Sequence, residues 1–267
     1  MSYQFTEING VRMHYDVQGE GDALVLIHAG IADLTMWDEQ VAEFSKHFKT
    51  IRHDVRGWGE TPDPAGKYTD HGDLGALLDH LGVDLVSVVG ISNGGRIAID
   101  FAVGNPGRMD KLIVVAPGLG GFQYPDDAFD ANLSKLSEEA QAKGDIDMAA
   151  EYQTQLWFDG PHRTPDQTDP QVRKRALSLI RSSLEIPLGE GEGDIERPPA
   201  AGRLAEIGAP TLVIFGELDV ESLKPVADKL SSEIPNAKKV VMHGVAHLPS
   251  LEKPNEFNEI VLDFLRE

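Results

Sequence analysis

A serine, an aspartate and a histidine stand where this chain could bring them into one catalytic group. Ser92 lies in Gly90-Ile91-Ser92-Asn93-Gly94, after an apolar run over 85–89. A helical pattern opens at Asn93, with Ile97, Ala98, Phe101 and Ala102 on one face, and Gly104-Asn105-Pro106 ends it. G-x-S-x-G between a strand and a helix is the spacing of a nucleophile elbow. The turn is so tight that flanking side chains would strike backbone, so glycine is wanted on both sides. A serine hydroxyl is a poor nucleophile at its free pKa and needs a base, which in turn needs an orienting carboxylate. Asp219 follows the apolar run 211–215, and His247 follows the next, 239–242. Glu217 is the rival acid. His243 is the rival base, but it stands at the end of its strand and suits a wall position better. Acyl transfer also needs donors for the developing oxyanion. The N–H of Asn93, directly after the serine, is one; the N–H of Gly30, in the loop after the run 23–27, is the other.

The elements around these residues predict how they meet. Alternation over 5–17 about Asn9-Gly10 reads as a hairpin. Strands are expected at 23–27, 49–53, 85–89, 112–115, 211–215 and 239–242, with helices at 36–48, 73–81, 93–102, 223–230 and 257–265 between and after them. Strands alternating with helices imply a parallel sheet covered on both faces, with strand carboxyl ends, and therefore ligands, on one edge. The rhythm stops after Pro117. About ninety residues cannot form a structureless loop in a compact protein. Helical faces are expected around Phe129, Leu133, Leu136 and Ala140, over 145–158, and from Asp169-Pro170 through Ile180 and Leu184, with a short fourth helix after Pro198-Pro199. This gives a core domain of 1–120 and 208–267 and a helical cap of 121–207 over Ser92. Gly189-Glu190-Gly191-Glu192-Gly193-Asp194 reads as a solvated loop, its spacing unlike a calcium loop.

The 267 residues carry a net charge of −20, from 24 Lys and Arg against 44 Asp and Glu, which argues against nucleic acid or an anionic membrane as partner. With no cysteine, disulfides and thiolate chemistry are excluded. No apolar run approaches membrane-spanning length and the first residues lack a signal-peptide pattern, so a cytoplasmic monomer or homodimer is expected. Gly118-Leu119-Gly120-Gly121 follows a strand but opens no dinucleotide fingerprint. Neither a cofactor nor a metal is called for.

Over essentially its whole length the chain resembles the α/β-hydrolase superfamily. The matching pieces are His28-Ala29-Gly30, Asp54-Val55-Arg56-Gly57-Trp58-Gly59, the elbow, Gly216-Glu217-Leu218-Asp219, and Ala246-His247 with Glu252-Lys253-Pro254. Size, cap position and the segment Trp157-Phe158-Asp159-Gly160-Pro161 make it most similar to small serine carboxylesterases and 3-oxoadipate enol-lactonase-like members. The resemblance implies an eight-stranded, mostly parallel sheet, the order Ser92, Asp219, His247 for the triad, and structural roles for His28, Asp54 and Arg56. Two departures stand out: Ala29 where the family usually has glycine, and Asn93 where a hydrophobic residue is frequent. Trp37 and Trp58 are expected to pack; Trp157, Phe158 and His162 are expected to face the pocket from the cap. The expected activity is cleavage of small esters or lactones through an acyl-enzyme. Carbon–carbon hydrolases and perhydrolases use the same triad, a lyase or cofactor-free oxygenase would use His247 as a proton shuttle, and a small-molecule receptor would bind without turnover.

Overall fold

The computed structural model describes residues 3–63, 66–186, 193–195 and 199–267. In chain order, β1 (Gln4–Ile8) and β2 (Val11–Gln18) form the hairpin, closed by Asn9 and Gly10, both at positive φ. Next come β3 (Ala23–Ile27), α1 (Asp38–Phe44), β4 (Lys49–His53), the short β5 (Gly66–Tyr68), α2 (Asp70–His80), β6 (Val86–Ile91), α3 (Asn93–Gly104) and β7 (Met109–Val115). The segment that follows holds α4 (Ala128–Ala142), α5 (Ile146–Thr154), a π-helical turn (Gln155–Asp159), α6 (Pro170–Leu184) and β8 (Gly193–Ile195). The chain ends with β9 (Thr211–Gly216), α7 (Lys224–Glu233), β10 (Ala237–Met242), α8 (Pro249–Glu252) and α9 (Pro254–Arg266).

Eight strands make the main sheet, in the order β1-β2-β4-β3-β6-β7-β9-β10. It is parallel from β4 to β10 and antiparallel at the β1–β2–β4 side. β6 and β9 are buried along their whole length, as strands covered on both faces must be, and this is why they read as continuous apolar runs rather than as alternation. Successive side chains still go to opposite faces. Val25, Ile27, Val88, Val114 and Val213 join one apolar cluster with α2, α3 and α7 residues such as Leu77, Phe101 and Leu230. Leu24, Leu26, Val89, Ile113 and Ile214 join the other with Val41 and Phe44 of α1 and Phe257 and Val261 of α9. The inserted helices touch both clusters, through Leu133 and Leu156 on one and Phe158 and Ala176 on the other.

Several expectations about the elements change. Gly193 and Asp194 are not loop: they belong to β8, which pairs in parallel with β5 as a separate two-stranded sheet. Residues 189–192 of the acidic patch lie outside the described residues. A fourth helix does not follow Pro199; only single 3-10 turns do, Ala200–Gly202 and Leu204–Glu206, and Pro198 is not among the described residues. α2 begins at Asp70 rather than near 73, because the Thr69 side chain accepts from the Gly72 N–H and caps the helix there. Among the described residues no helix is long and apolar enough to cross a membrane, and no three His, Asp or Glu side chains converge as a metal-ligand set.

Candidate active site

Ser92 joins β6 to α3 with φ 55° and ψ −115°. For a residue with a Cβ this is a strained backbone, held only because its surroundings over-determine it. The Ser92 N–H donates to the Val115 carbonyl (2.9 Å), and the Ser92 carbonyl accepts from the N–H groups of Arg96 and Gly118 (3.0 Å each). The glycines leave no room for change. A Cβ on Gly90 would overlap the Gly94 carbonyl, one on Gly94 the carbonyls of Ile27 and His28, and one on Gly95 would lie 2.6 Å from the Pro117 Cβ. The elbow is therefore wedged between the ends of β3 and β7.

Asp219, after β9, and His247, after β10, are 2 % and 1 % exposed. The His247 Nδ1–H donates to Asp219 Oδ2 at 2.9 Å, and Asp219 Oδ1 accepts from the Val220 N–H at 2.8 Å. Both carboxylate oxygens are thus occupied and the imidazole is fixed with Nε2 as its free end. Among the described residues no hydrogen bond joins Ser92 to His247; such bonds commonly tighten only when substrate arrives. The rival pair lies elsewhere. The His243 side chain is 79 % exposed, its Nδ1 3.2 Å from Glu217 Oε1, and Glu217 Oε2 accepts from the Gly244 N–H. These two brace a surface turn.

The Gly30 N–H is oriented by its neighbours. His28 Nε2 accepts from the Val55 N–H (2.9 Å), which leaves Nδ1 protonated to donate to the Ala29 carbonyl (2.7 Å); the Ala32 N–H donates to the same oxygen. In a trans peptide the N–H points opposite to the carbonyl. With the Ala29 oxygen tied into the loop, the Gly30 N–H faces away from it. A Cβ built on Gly30 would sit 3.3 Å from the Asn93 Cβ, so the two expected oxyanion donors are neighbours. The methyl of Ala29 is fully buried in the apolar cluster beside Met36, which accommodates that departure. Trp58 does more than pack: its indole N–H donates to the Gly30 carbonyl at 2.8 Å. The Asn93 side chain turns to α3, where its Oδ1 accepts from Arg96 Nε at 3.0 Å.

A family model described as the alpha/beta hydrolase fold matches residues 22–254. The chain belongs to the α/β-hydrolase family. A 2-hydroxy-6-oxononadienedioate/2-hydroxy-6-oxononatrienedioate hydrolase of Pseudomonas putida is 28 % identical over 275 aligned positions, covering 96 % of this chain and 92 % of its own. Among solved structures, a thermophilic esterase from Thermogutta terrifontis superposes with a TM-score of 0.82 at 25 % identity, covering 100 % of this chain and 98 % of its own. An enol-lactonase from Burkholderia xenovorans LB400 gives 0.79 at 23 % identity, covering 99 % and 100 %, a likeness of fold.

Around the triad positions of this α/β hydrolase, the inserted helices contribute unequally. The Trp157 ring lies 4.6 Å, centroid to centroid, from the His247 ring, and its indole N–H donates to Gln153. Phe158, one residue on, points the other way and is 1 % exposed in the cluster shared with Ala176 and Leu248; it is core rather than pocket wall. His162 is also set apart: half-exposed, it lies 3.5 Å from Glu221 at the surface.

Several residues that hold this site were not singled out from sequence. Gly160, at φ 73°, presses against both late loops: a Cβ there would overlap the Leu218 carbonyl and lie 3.2 Å from Ala246 Cβ. Arg163 donates to the Phe158 and Asp159 carbonyls and pairs with Glu252 Oε2 at 2.6 Å, while Glu252 Oε1 accepts from the Ala246 N–H at 2.7 Å. Burial pushes the Glu252 carboxyl up, and Arg163 works against that shift without cancelling it. Arg173 of α6 grips Asp159 bidentately and reaches Glu151 of α5. A chain of ion pairs and backbone hydrogen bonds therefore runs from α5 and α6 to the residue before His247.

Proposed function

We propose that this α/β hydrolase cleaves carboxylic esters or lactones through an acyl-enzyme on Ser92. The observation that carries the reading is the buried His247–Asp219 pair, bonded through Nδ1 with Nε2 left over, on the same strand-end edge of the sheet as the strained serine elbow. His247 Nε2 takes the proton as Ser92 Oγ bonds to the carbonyl carbon. The oxyanion is received by the N–H groups of Asn93 and Gly30, each such donor contributing about 3–4 kcal/mol in comparable sites. His247 then returns the proton to the leaving oxygen as the C–O bond breaks. Water, losing its proton to His247, repeats the sequence and frees the acid. Asp219 stabilises the imidazolium throughout. The esterase among the structural neighbours supports this reading.

A second reading, carbon–carbon bond hydrolysis with the same residues, is favoured by the names of sequence relatives such as the Pseudomonas putida hydrolase. A panel of nitrophenyl esters of increasing acyl length, simple lactones and 2-hydroxy-6-oxononadienedioate tests both. Turnover of esters or lactones by the parent, with Ser92→Ala lowering it on the order of a million-fold, is the expected result. Turnover of the dienedioate alone replaces the first reading with the second, and unchanged ester activity in Ser92→Ala removes the serine from the mechanism.

A further inference from the structure

In the proposed reaction His247 gains a proton in a place that water does not reach. Its ring is buried, so the imidazolium forms without a hydration shell. Asp219 meets that charge at the Nδ1 edge. The indole of Trp157 lies alongside the ring, with the two centroids 4.6 Å apart and the planes tilted by 41°. An aromatic ring is negative on its face and positive at its edge. A cation within about 6 Å of the centroid is attracted to that face, most strongly to an indole's, and more so where both are out of water. Against a neutral imidazole the contact is packing; against the imidazolium it gains an electrostatic part. That gain falls in the charged states of the reaction and lowers their barrier.

The indole is held there from several sides. Trp157 stands in the π-helical turn, and its N–H donates to Gln153 Oε1 at 2.8 Å, so this positive end of the ring is not what His247 meets. The rest of the indole packs on the apolar cluster that includes Leu133 and Leu156. The Gly160 N–H donates to the Gln155 carbonyl at 3.0 Å and closes the turn. Gly160 itself bears on Leu218 and Ala246, the residues directly before Asp219 and His247. Indole, acid and base therefore share one support. Among the charged groups of the described residues, Asp219 touches the His247 ring, Glu252 stops at the Ala246 N–H, and Asp130 of α4 acts through its charge.

We infer that Trp157 is a positioning residue that acts through His247: its indole face stabilises the imidazolium and so speeds each proton transfer, while adding little to substrate affinity. This rests on the proton-transfer role given to His247 above and deepens it.

Trp157→Leu is expected to lower kcat on the best ester about thirtyfold, the contribution of a desolvated cation–π contact, with KM changed by about twofold or less. Trp157→Phe keeps an aromatic face and is expected to recover most of that loss. The decisive series places singly, doubly and triply fluorinated tryptophan at position 157 alone, leaving Trp37 and Trp58 unchanged. Fluorine drains charge from the indole face at nearly constant size, so kcat is expected to step down about two- to threefold with each fluorine. A role confined to shape gives the same kcat along the series, and that result overturns the inference, as does a folded Trp157→Leu enzyme within about twofold of the parent. Thermal melting checks the fold of Trp157→Leu; where it fails, the fluorinated series, which keeps the shape, decides. The ester reading fails separately, if the parent cleaves no ester or lactone. The contact is then read without turnover, by NMR of the His247 ring hydrogens. The ring is expected to take its proton at lower pH as fluorines are added, and coincident titration curves overturn the inference.

Discussion

In the proposed mechanism Asp219 acts on substrate only through His247. With one oxygen on His247 Nδ1 and the other on the Val220 N–H, it dictates both the tautomer and the tilt of the ring. Asp219→Asn keeps the shape and offers an amide that can satisfy the wrong tautomer. Steady-state kinetics on the best ester should show kcat falling about ten-thousand-fold with KM little changed. These residues were legible in the sequence because each follows an apolar run closely, at Val89, Phe215 and Met242, and a strand end is the most readable feature of such a fold. The place of Gly30 in the loop after β3, beside Asn93, was legible for the same reason. His28 looked structural. Its two ring nitrogens give that role content, one fixing the loop after β4 and the other the carbonyl behind the Gly30 N–H.

At the scale of elements, the insertion reaches the late loops through the stretch Trp157 to Arg163 and through α6, which packs on α8. Arg163→Ala would leave the buried Glu252 carboxylate without its partner, a change that costs about 3–5 kcal/mol when a buried pair is broken from one side. Glu252→Gln keeps an acceptor for the Ala246 N–H and should be milder. Denaturant melts of both variants and of the double variant measure the coupling, and kcat should fall more than KM rises, because the loop that loses definition carries His247. The strands of the main sheet were readable as buried runs, and their observed limits at β3 and β4 match the expected ones. β7 starts three residues early because Asp110 and Lys111 break the apolar run without breaking the strand. The β5–β8 pair was invisible. Three residues per strand leave no periodicity to read, and the partner lies more than a hundred residues away. The segment 145–158 read as one helix is an α-helix that widens into a π-helical turn over its last residues. That change of pitch sends Trp157 toward His247 while Phe158 stays in the core, a division that a uniform helical period does not show.

For the molecule as a whole, acid stability turns on a histidine outside the site. His53 closes β4, is 2 % exposed, and is held by burial at a pKa of about 4, below its ordinary 6.5, with the nearby His28 adding to the shift. The folded chain then binds fewer protons than the unfolded one between those values, so stability is intact above about pH 6.5 and drains as pH falls toward 4, by up to about 3 kcal/mol. Melting temperatures of the parent across that window should fall with acid, and His53→Leu should flatten the slope. His14 has the opposite sign. Burial opposes its charge, but the hydrogen bond and charge of Asp54 prevail and raise it, so that contribution fades as pH rises past the folded value. The close fit of Gly160 against the Leu218 backbone and the Ala246 methyl carries a different kind of consequence. It ties the end of the insertion to both late loops. A graft of α4 and α5 from another hydrolase is therefore expected to leave the His247 loop in place when it rejoins the host before Trp157 and keeps an apolar residue for Leu133 and an acid for Glu151. A junction placed inside 157–163 would cut that tie, and the recipient would receive foreign helices that no longer brace the loop beneath them.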